Sequence, residues 1–253
     1  MLSDLYRHAV THLVTVPSVL ALATALDESF DASFDYPEFR FLISTAAYLD
    51  PVLWESFEQR FGTQIVNVYG LNETVCETMY AGPSPEHRRL GSVGKPIDSY
   101  AKIIDENGRE LSDEETGELL VAGDHLMSGY FNNPDATAAV LQDGWFRTGD
   151  LARRDKDGFY YITGRKKDLI ISGGMNIYPE DVNGVLRSIP GVIDAVTFGL
   201  PDRCGANARS PASSAIRRST LRSRKLSRAS WSAPRNRSCL ATWSSLRAFR
   251  EDP

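Results

Sequence analysis

The stretch that most limits how this chain can fold runs from Phe39 to Thr74, FRFLISTAAYLDPVLWESFEQRFGTQIVNVYGLNET. Phe41, Leu42 and Ile43 read as a short apolar strand that runs into the small residues Ser44, Thr45, Ala46 and Ala47. Asp50-Pro51 then supplies an N-cap and a first helical position for a helix through Phe61. Gln64 to Tyr69 is a second strand, ending at Gly70-Leu71-Asn72-Glu73-Thr74. The order strand, helix, strand implies a parallel αβ unit. Ligands in open α/β sheets bind beyond the carboxyl ends of the strands, where both small-residue turns fall. Upstream, THLVTV is a β-rich run closed by Pro17, a helix reading SVLALATAL follows, and residues 27–38 form a polar loop.

From Arg88 the pattern becomes β-rich with tight turns. Asn107-Gly108 is a hairpin signal, and GELLVAG alternates around Leu119 and Val121 as a half-buried strand. Asn133-Pro134 opens a helix, PDATAAVL, and DGWFRTGD then leads through Asp157-Gly158 into FYYITGR. A small β subdomain fits this run. Gly164 next opens a turn into Arg165, Lys166, Lys167 and Asp168, and Leu169-Ile170-Ile171 runs into Ser172-Gly173-Gly174. Pro179, followed by Glu180 and Asp181, suits the first turn of a helix. A cationic turn beside bare glycines suits an anionic ligand, because backbone without side chains admits close approach, although by spacing alone a solvated hairpin is the commoner outcome.

With 253 residues and 42% hydrophobic content the chain has room for one large domain or two small ones with a buried core. Cys76, Cys204 and Cys239 show no metal-ligand or redox spacing, and His8, His12, His87 and His125 share no ligand pattern, so neither a zinc site nor a disulfide framework is expected. The amino-terminal MLSDLYRHAVTHLVTV lacks a basic-then-apolar leader, and no run reaches spanning length, which points to the cytoplasm and away from the membrane. The net charge of −5 hides a break: residues 1–200 hold 16 Lys/Arg and 30 Asp/Glu, net −14, whereas residues 201–253 hold 12 and 3, net +9. Those last 53 residues carry 11 serines, no valine and one isoleucine, a poor stock for a strand or a core.

The segment GRKKDLIISGGMNIYPE resembles the hinge of the adenylate-forming superfamily, which includes acyl-CoA synthetases, luciferases and the adenylation domains of peptide synthetases. YGLNET, GELLVAGDHLMSGYFNNP and GWFRTGD are similar to that family's other signatures and occur in its order. The resemblance runs from near residue 5 to Pro201-Asp202 and favours the acyl-CoA synthetase branch. It implies an α/β fold: the carboxyl-terminal part of the large adenylate-forming domain, with parallel αβ units and a small β subdomain, over residues 1–164. A hinge and the start of the small α+β domain follow over 165–202, and a basic Ser/Arg-rich tail without a stable fold over 203–253. The abrupt end of the match at GLPD marks that tail as a reading-frame product.

By the same resemblance Tyr69 stacks on adenine, and Gly70 and Asn72 belong to the segment meeting the α-phosphate of AMP or ATP. Asn72 stands where the family usually has threonine, which weakens or rearranges that contact. Glu73 holds Mg2+, Asp150 accepts hydrogen bonds from both ribose hydroxyls, and Arg165 contacts ribose or phosphate. Lys167 is the pivot of the small domain, while Gly173 and Gly174 let the pantetheine arm of coenzyme A pass. The Ser/Thr/Gly-rich phosphate loop and the late catalytic lysine of a complete enzyme have no counterpart in this sequence; Lys225 is a poor substitute. The implied activity is that of an AMP-forming acid–thiol ligase joining a carboxylic acid to coenzyme A, as a piece expected to be inactive alone. A non-catalytic nucleotide-binding remnant and a peptide-synthetase-type domain stay open. The basic tail as a nucleic-acid arm is the weakest reading, since it has no recognisable fold.

Overall fold

The computed structural model describes residues 5, 7–27, 37–75, 77–172, 175–187, 189, 192–199 and 212–218. Two compact units divide between Lys167 and Asp168.

The first unit begins with β1 (His12–Thr15), α1 (Pro17–Thr24), β2 (Phe41–Ser44), α2 (Pro51–Phe61), β3 (Ile65–Gly70), β4 (Glu77–Ala81) and β5 (Lys95–Pro96). The strands form one five-stranded sheet in that order. β1, β2 and β3 run parallel, as the strand–helix–strand order requires, and β4 and β5 add on antiparallel. α2 starts where the Asp50 side chain accepts from the Val52 N–H at 2.8 Å, and it stops at Gly62, whose φ of +63° closes the last turn. Trp54, Phe57 and Phe61 fall on one helical face and are buried with Leu20, Leu42, Leu49 and Ile65. That packing fixes the helix behind the sheet and leaves the carboxyl ends of β2 and β3 clear.

The second sheet is antiparallel and comprises β6 (Tyr100–Ile104), β7 (Thr116–Ala122), β8 (Leu141–Gln142), β9 (Trp145–Arg154) and β10 (Tyr160–Arg165), with α3 (Pro134–Val140) leading into β8. Its order is β10-β9-β7-β6, and β8 pairs with β9. β7 is not the half-buried strand that its alternation suggests. It pairs with β6 and β9 along its edges, and the consecutive residues Glu118, Leu119, Leu120 and Val121 are all buried, so both of its faces are covered. Gly164 likewise opens no turn: β10 continues to Arg165. At Ile162–Gly164 the register shifts, so that two steps along β10 face one step along β9, and Thr163 is the extra residue.

Backbone just before β5 ties the two sheets together. Val93 N–H donates to the Tyr160 carbonyl at 2.9 Å, and Tyr160 N–H donates to the Gly94 carbonyl at 2.9 Å. Gly94 has a φ of +84°, and a Cβ there would lie 1.7 Å from the Tyr80 carbonyl oxygen, so this crossing requires glycine. The second core gathers Met79, Ile103, Leu119, Val121, Phe146 and Tyr160, with Tyr69 packed against it.

In the second unit β11 (Ile170–Ser172) and β12 (Met175–Ile177) form an antiparallel pair. α4 (Pro179–Arg187) begins at Pro179 with Glu180 and Asp181 in its first turn, as expected. β13 (Val192–Gly199) pairs antiparallel with β14 (Ala212–Arg218). β14 lies in the tail whose composition offers little for building a strand. An antiparallel pair is held by backbone N–H and C=O groups, so a Ser- and Arg-rich strand can join without large apolar side chains. The rest of 203–253 and the expected pantetheine passage at Gly173 and Gly174 lie outside the described residues.

Candidate nucleotide site

Three strands bring the site together in the first unit. Tyr69 lies near the carboxyl end of β3, Asp150 within β9, and Arg165 at the end of β10. The β9–β10 register sets Arg165 directly opposite Asp150, and directly opposed residues share a face. Around Asp150 β9 also departs from β7: Glu118 faces Leu151 and Leu120 faces Arg147, so one residue of β7 spans three of β9. Gly149, with a φ of +70°, takes the bend. The Thr148 hydroxyl pins the bend by donating to the Leu119 carbonyl at 2.7 Å, and it accepts from the Asp150 N–H at 3.0 Å.

Asp150 is only 3% exposed, yet both carboxylate oxygens have partners. Tyr69 Oη donates to Oδ2 at 2.6 Å, and Arg165 Nε reaches Oδ1 at 3.0 Å. Burial raises the Asp150 pKa above the ordinary carboxylate value; the Tyr69 hydrogen bond and the Arg165 charge oppose that rise, and the Glu73 charge adds to it. The Tyr69 phenol is pushed far up, by burial first and then by the Asp150 charge, so it stays a donor.

A cleft of about 730 Å³ opens beside this cluster. Thr45 and Ala46 after β2, and Gly70, Leu71, Asn72 and Glu73 after β3, form one side; Arg147, Thr148, Gly149 and Arg165 form another. Tyr69 and Asp150 do not line it, whereas their neighbours Gly70, Gly149 and Arg165 do. Glu73 sits in a 3-10 turn, Asn72–Thr74, and Tyr130 Oη donates to its Oε1 at 2.9 Å. Lys167 is exposed on the next 3-10 turn, Lys166–Asp168, and its charge lowers the Asp150 pKa. None of the four histidines lines the cleft.

The sequence reading missed four groups here. Glu118, 6% exposed and on the cleft wall, takes Arg147 Nη2 at 2.5 Å and Lys166 Nζ at 2.9 Å on the same oxygen, Oε2. Burial works against its charge, but the bonds from Lys166 and Arg147 prevail and its pKa falls below the usual value. Tyr130 lies in SGYFNNP, where no local pattern marks it as a partner of Glu73. A charged residue inside a strand, such as Glu118 in GELLVAG, was the available signal.

The AMP-binding enzyme family model matches residues 1–131. A sulfoacetate–CoA ligase of Cupriavidus necator is 38% identical over 201 residues, 79% of this chain and 38% of that protein. A 2-succinylbenzoate–CoA ligase of Bacillus subtilis is 37% identical over 203 residues, 80% of this chain and 40% of that protein. The chain therefore spans about two fifths of the length of these curated relatives. Among solved structures, an amide bond synthetase from Marinactinospora thermotolerans aligns with a TM-score of 0.76 at 29% identity, over 85% of this chain and 43% of that one. The o-succinylbenzoate CoA synthetase of Bacillus subtilis in complex with its acyl-adenylate intermediate aligns with a TM-score of 0.73 at 32% identity, over 85% and 44%. No helix among the described residues is long and apolar enough to cross a membrane.

Proposed function

The chain belongs to the AMP-binding enzyme family, and on that footing we propose that it carries the nucleoside side of the active site of an AMP-forming acid–thiol ligase. In the reaction a carboxylate attacks the α-phosphate of ATP, giving an acyl adenylate and pyrophosphate, and the acyl group then passes to the thiol of coenzyme A. The observation that carries the reading is the buried Asp150 carboxylate held by Tyr69 and Arg165 beside a cleft large enough for a nucleotide. A vicinal diol is matched by a carboxylate with two acceptor oxygens, and Asp150 would take the ribose by exchanging part of its bond to the half-exposed Arg165. Arg165, released toward the cleft, would then meet the phosphate.

The chemistry of the donor set fits Mg2+. Glu73 lines the cleft, and among the described residues no three His, Cys, Asp or Glu side chains converge. One carboxylate, with phosphate oxygens and water for the remaining positions, is how Mg2+ is usually held. When bound, the ion would neutralise phosphate charge; Glu73 would orient it, and Asn72 could donate to a phosphate oxygen. In this proposal Lys167 is the pivot of the small domain, and coenzyme A and a carboxylic acid are the co-substrates.

We further propose that the 253-residue chain alone does not complete the reaction. Positioning and charge stabilisation supply roughly 7–11 kcal/mol in such chemistry, and the sequence offers neither a Ser/Thr/Gly-rich triphosphate cradle nor a lysine in the expected late setting. AMP titration by calorimetry tests the nucleoside site: binding that Asp150→Ala abolishes supports it, and absence of binding, or equal binding by the variant, overturns it. ATP–pyrophosphate exchange across a panel of carboxylic acids tests completeness, and exchange at a rate typical of complete ligases would refute it.

A further inference from the structure

Glu73 is held at both ends by the segment that follows β7. Its backbone carbonyl accepts from the Met127 N–H at 2.7 Å, and its Oε1 accepts from the Tyr130 hydroxyl at 2.9 Å. The turn beneath it is closed by Thr74, fully buried, whose hydroxyl donates to the Leu71 carbonyl at 2.9 Å and accepts from the Leu71 N–H at 3.0 Å. Tyr130 is itself fixed. Its N–H donates to Thr137 Oγ1 at 2.9 Å, and that hydroxyl donates to the Asn133 carbonyl at 2.9 Å, at the start of α3. A chain of bonds thus runs from the α3 cap to one oxygen of Glu73, and among the described residues Oε2 has no hydrogen-bond partner.

We propose that Tyr130 is a positioning residue that makes Glu73 a one-oxygen ligand and thereby sets the site's preference for Mg2+ over Ca2+. The inference rests on the nucleotide-site reading above. A carboxylate with both oxygens available can chelate in two-oxygen fashion, which suits the larger Ca2+ with its six to eight ligands at about 2.3–2.6 Å. Mg2+ requires near-octahedral geometry at about 2.0–2.1 Å and takes one oxygen per carboxylate. A phenol occupying Oε1 removes the chelating mode.

The test measures ATP affinity of the full chain by calorimetry at saturating Mg2+, at saturating Ca2+ and in chelator. Wild type should bind ATP more tightly with Mg2+ than with Ca2+, and Glu73→Gln should lose the dependence on either cation. Tyr130→Phe should narrow the Mg2+-to-Ca2+ ratio about fivefold or more, as loss of one charge-assisted hydrogen bond implies. A variant that weakens ATP equally under all three conditions marks a structural role and overturns the inference, as does an unchanged ratio. If wild type shows no ATP binding, or none that depends on Glu73, the reading of the site fails instead and carries this inference with it.

Discussion

Replacing Tyr69 by phenylalanine removes one oxygen and leaves Asp150 Oδ2 without its donor in a position only 3% exposed. A hydrogen bond to a charged group contributes roughly 1.5–3 kcal/mol, and the ring itself stays packed, so the loss should fall in that range at neutral pH. For a unit of this size that corresponds to a fall in melting temperature of about 3–12 °C. The pH dependence identifies the cause. The folded Asp150 pKa is already raised above its ordinary value of 3.8, so the native state binds the proton more readily than the unfolded chain. Its favourable contribution is therefore complete below the unfolded pKa and is lost as pH rises through the folded one. Removing the Tyr69 donor, which lowers that pKa, moves the folded value higher still. The cost of Tyr69→Phe must then be largest at pH 7 and must shrink as acid protonates Asp150 in both proteins. Urea unfolding of the two chains at pH 7 and at successively lower pH measures it. A cost that is absent at pH 7, or that is undiminished in acid, would refute the reasoning.

Glu118→Gln should destabilise by about 1.5–3 kcal/mol, since a buried carboxylate serving Arg147 and Lys166 is neutralised. Lys166→Ala, at a side chain 50% exposed, should cost under about 1 kcal/mol in the same urea assay. Because the folded Glu118 pKa is lowered, wild type should lose this contribution as pH falls through that value, and the variant should show no such loss. Gly94→Ala should prevent accumulation of folded protein, because the 1.7 Å approach to the Tyr80 carbonyl leaves no room for a methyl group; a soluble variant with wild-type circular dichroism would contradict this.

What the sequence revealed was what neighbouring residues decide together. The β2–α2–β3 unit announced itself through an apolar run and Asp50-Pro51, each within one turn of the positions it controls. The caps at Asn133 and the turn at Asp157-Gly158 were legible for the same reason. The site divides along the same line. Tyr69, Glu73, Asp150 and Arg165 were singled out by motif, but their mutual bonds depend on register. Glu118 lies 29 residues from Arg147 and 48 from Lys166, and Tyr130 lies 57 from Glu73. Nothing local specifies such pairs; strand order and irregular register do. β14 was hidden in another way, since backbone pairing leaves little trace in side-chain composition.

The extra residue in β10 acts as a phase shift. Were Ile162 to Arg165 paired residue for residue with β9 from Ala152 onward, Gly164 would face Asp150, and Arg165 would fall opposite Gly149 with its side chain on the other surface of the sheet. With Thr163 inserted, the strand keeps one alternation for Tyr160 and Ile162, which pack into the core, and begins a second for Arg165, which answers to the carboxylate. Thr163 bears a cost for this: its Oγ1 is buried with no hydrogen-bond partner among the described residues. Core and site can therefore change independently along a single strand. Pairing Thr163 into the ladder, with no residue removed, would leave the apolar pattern before it intact while turning the cation away from its partner.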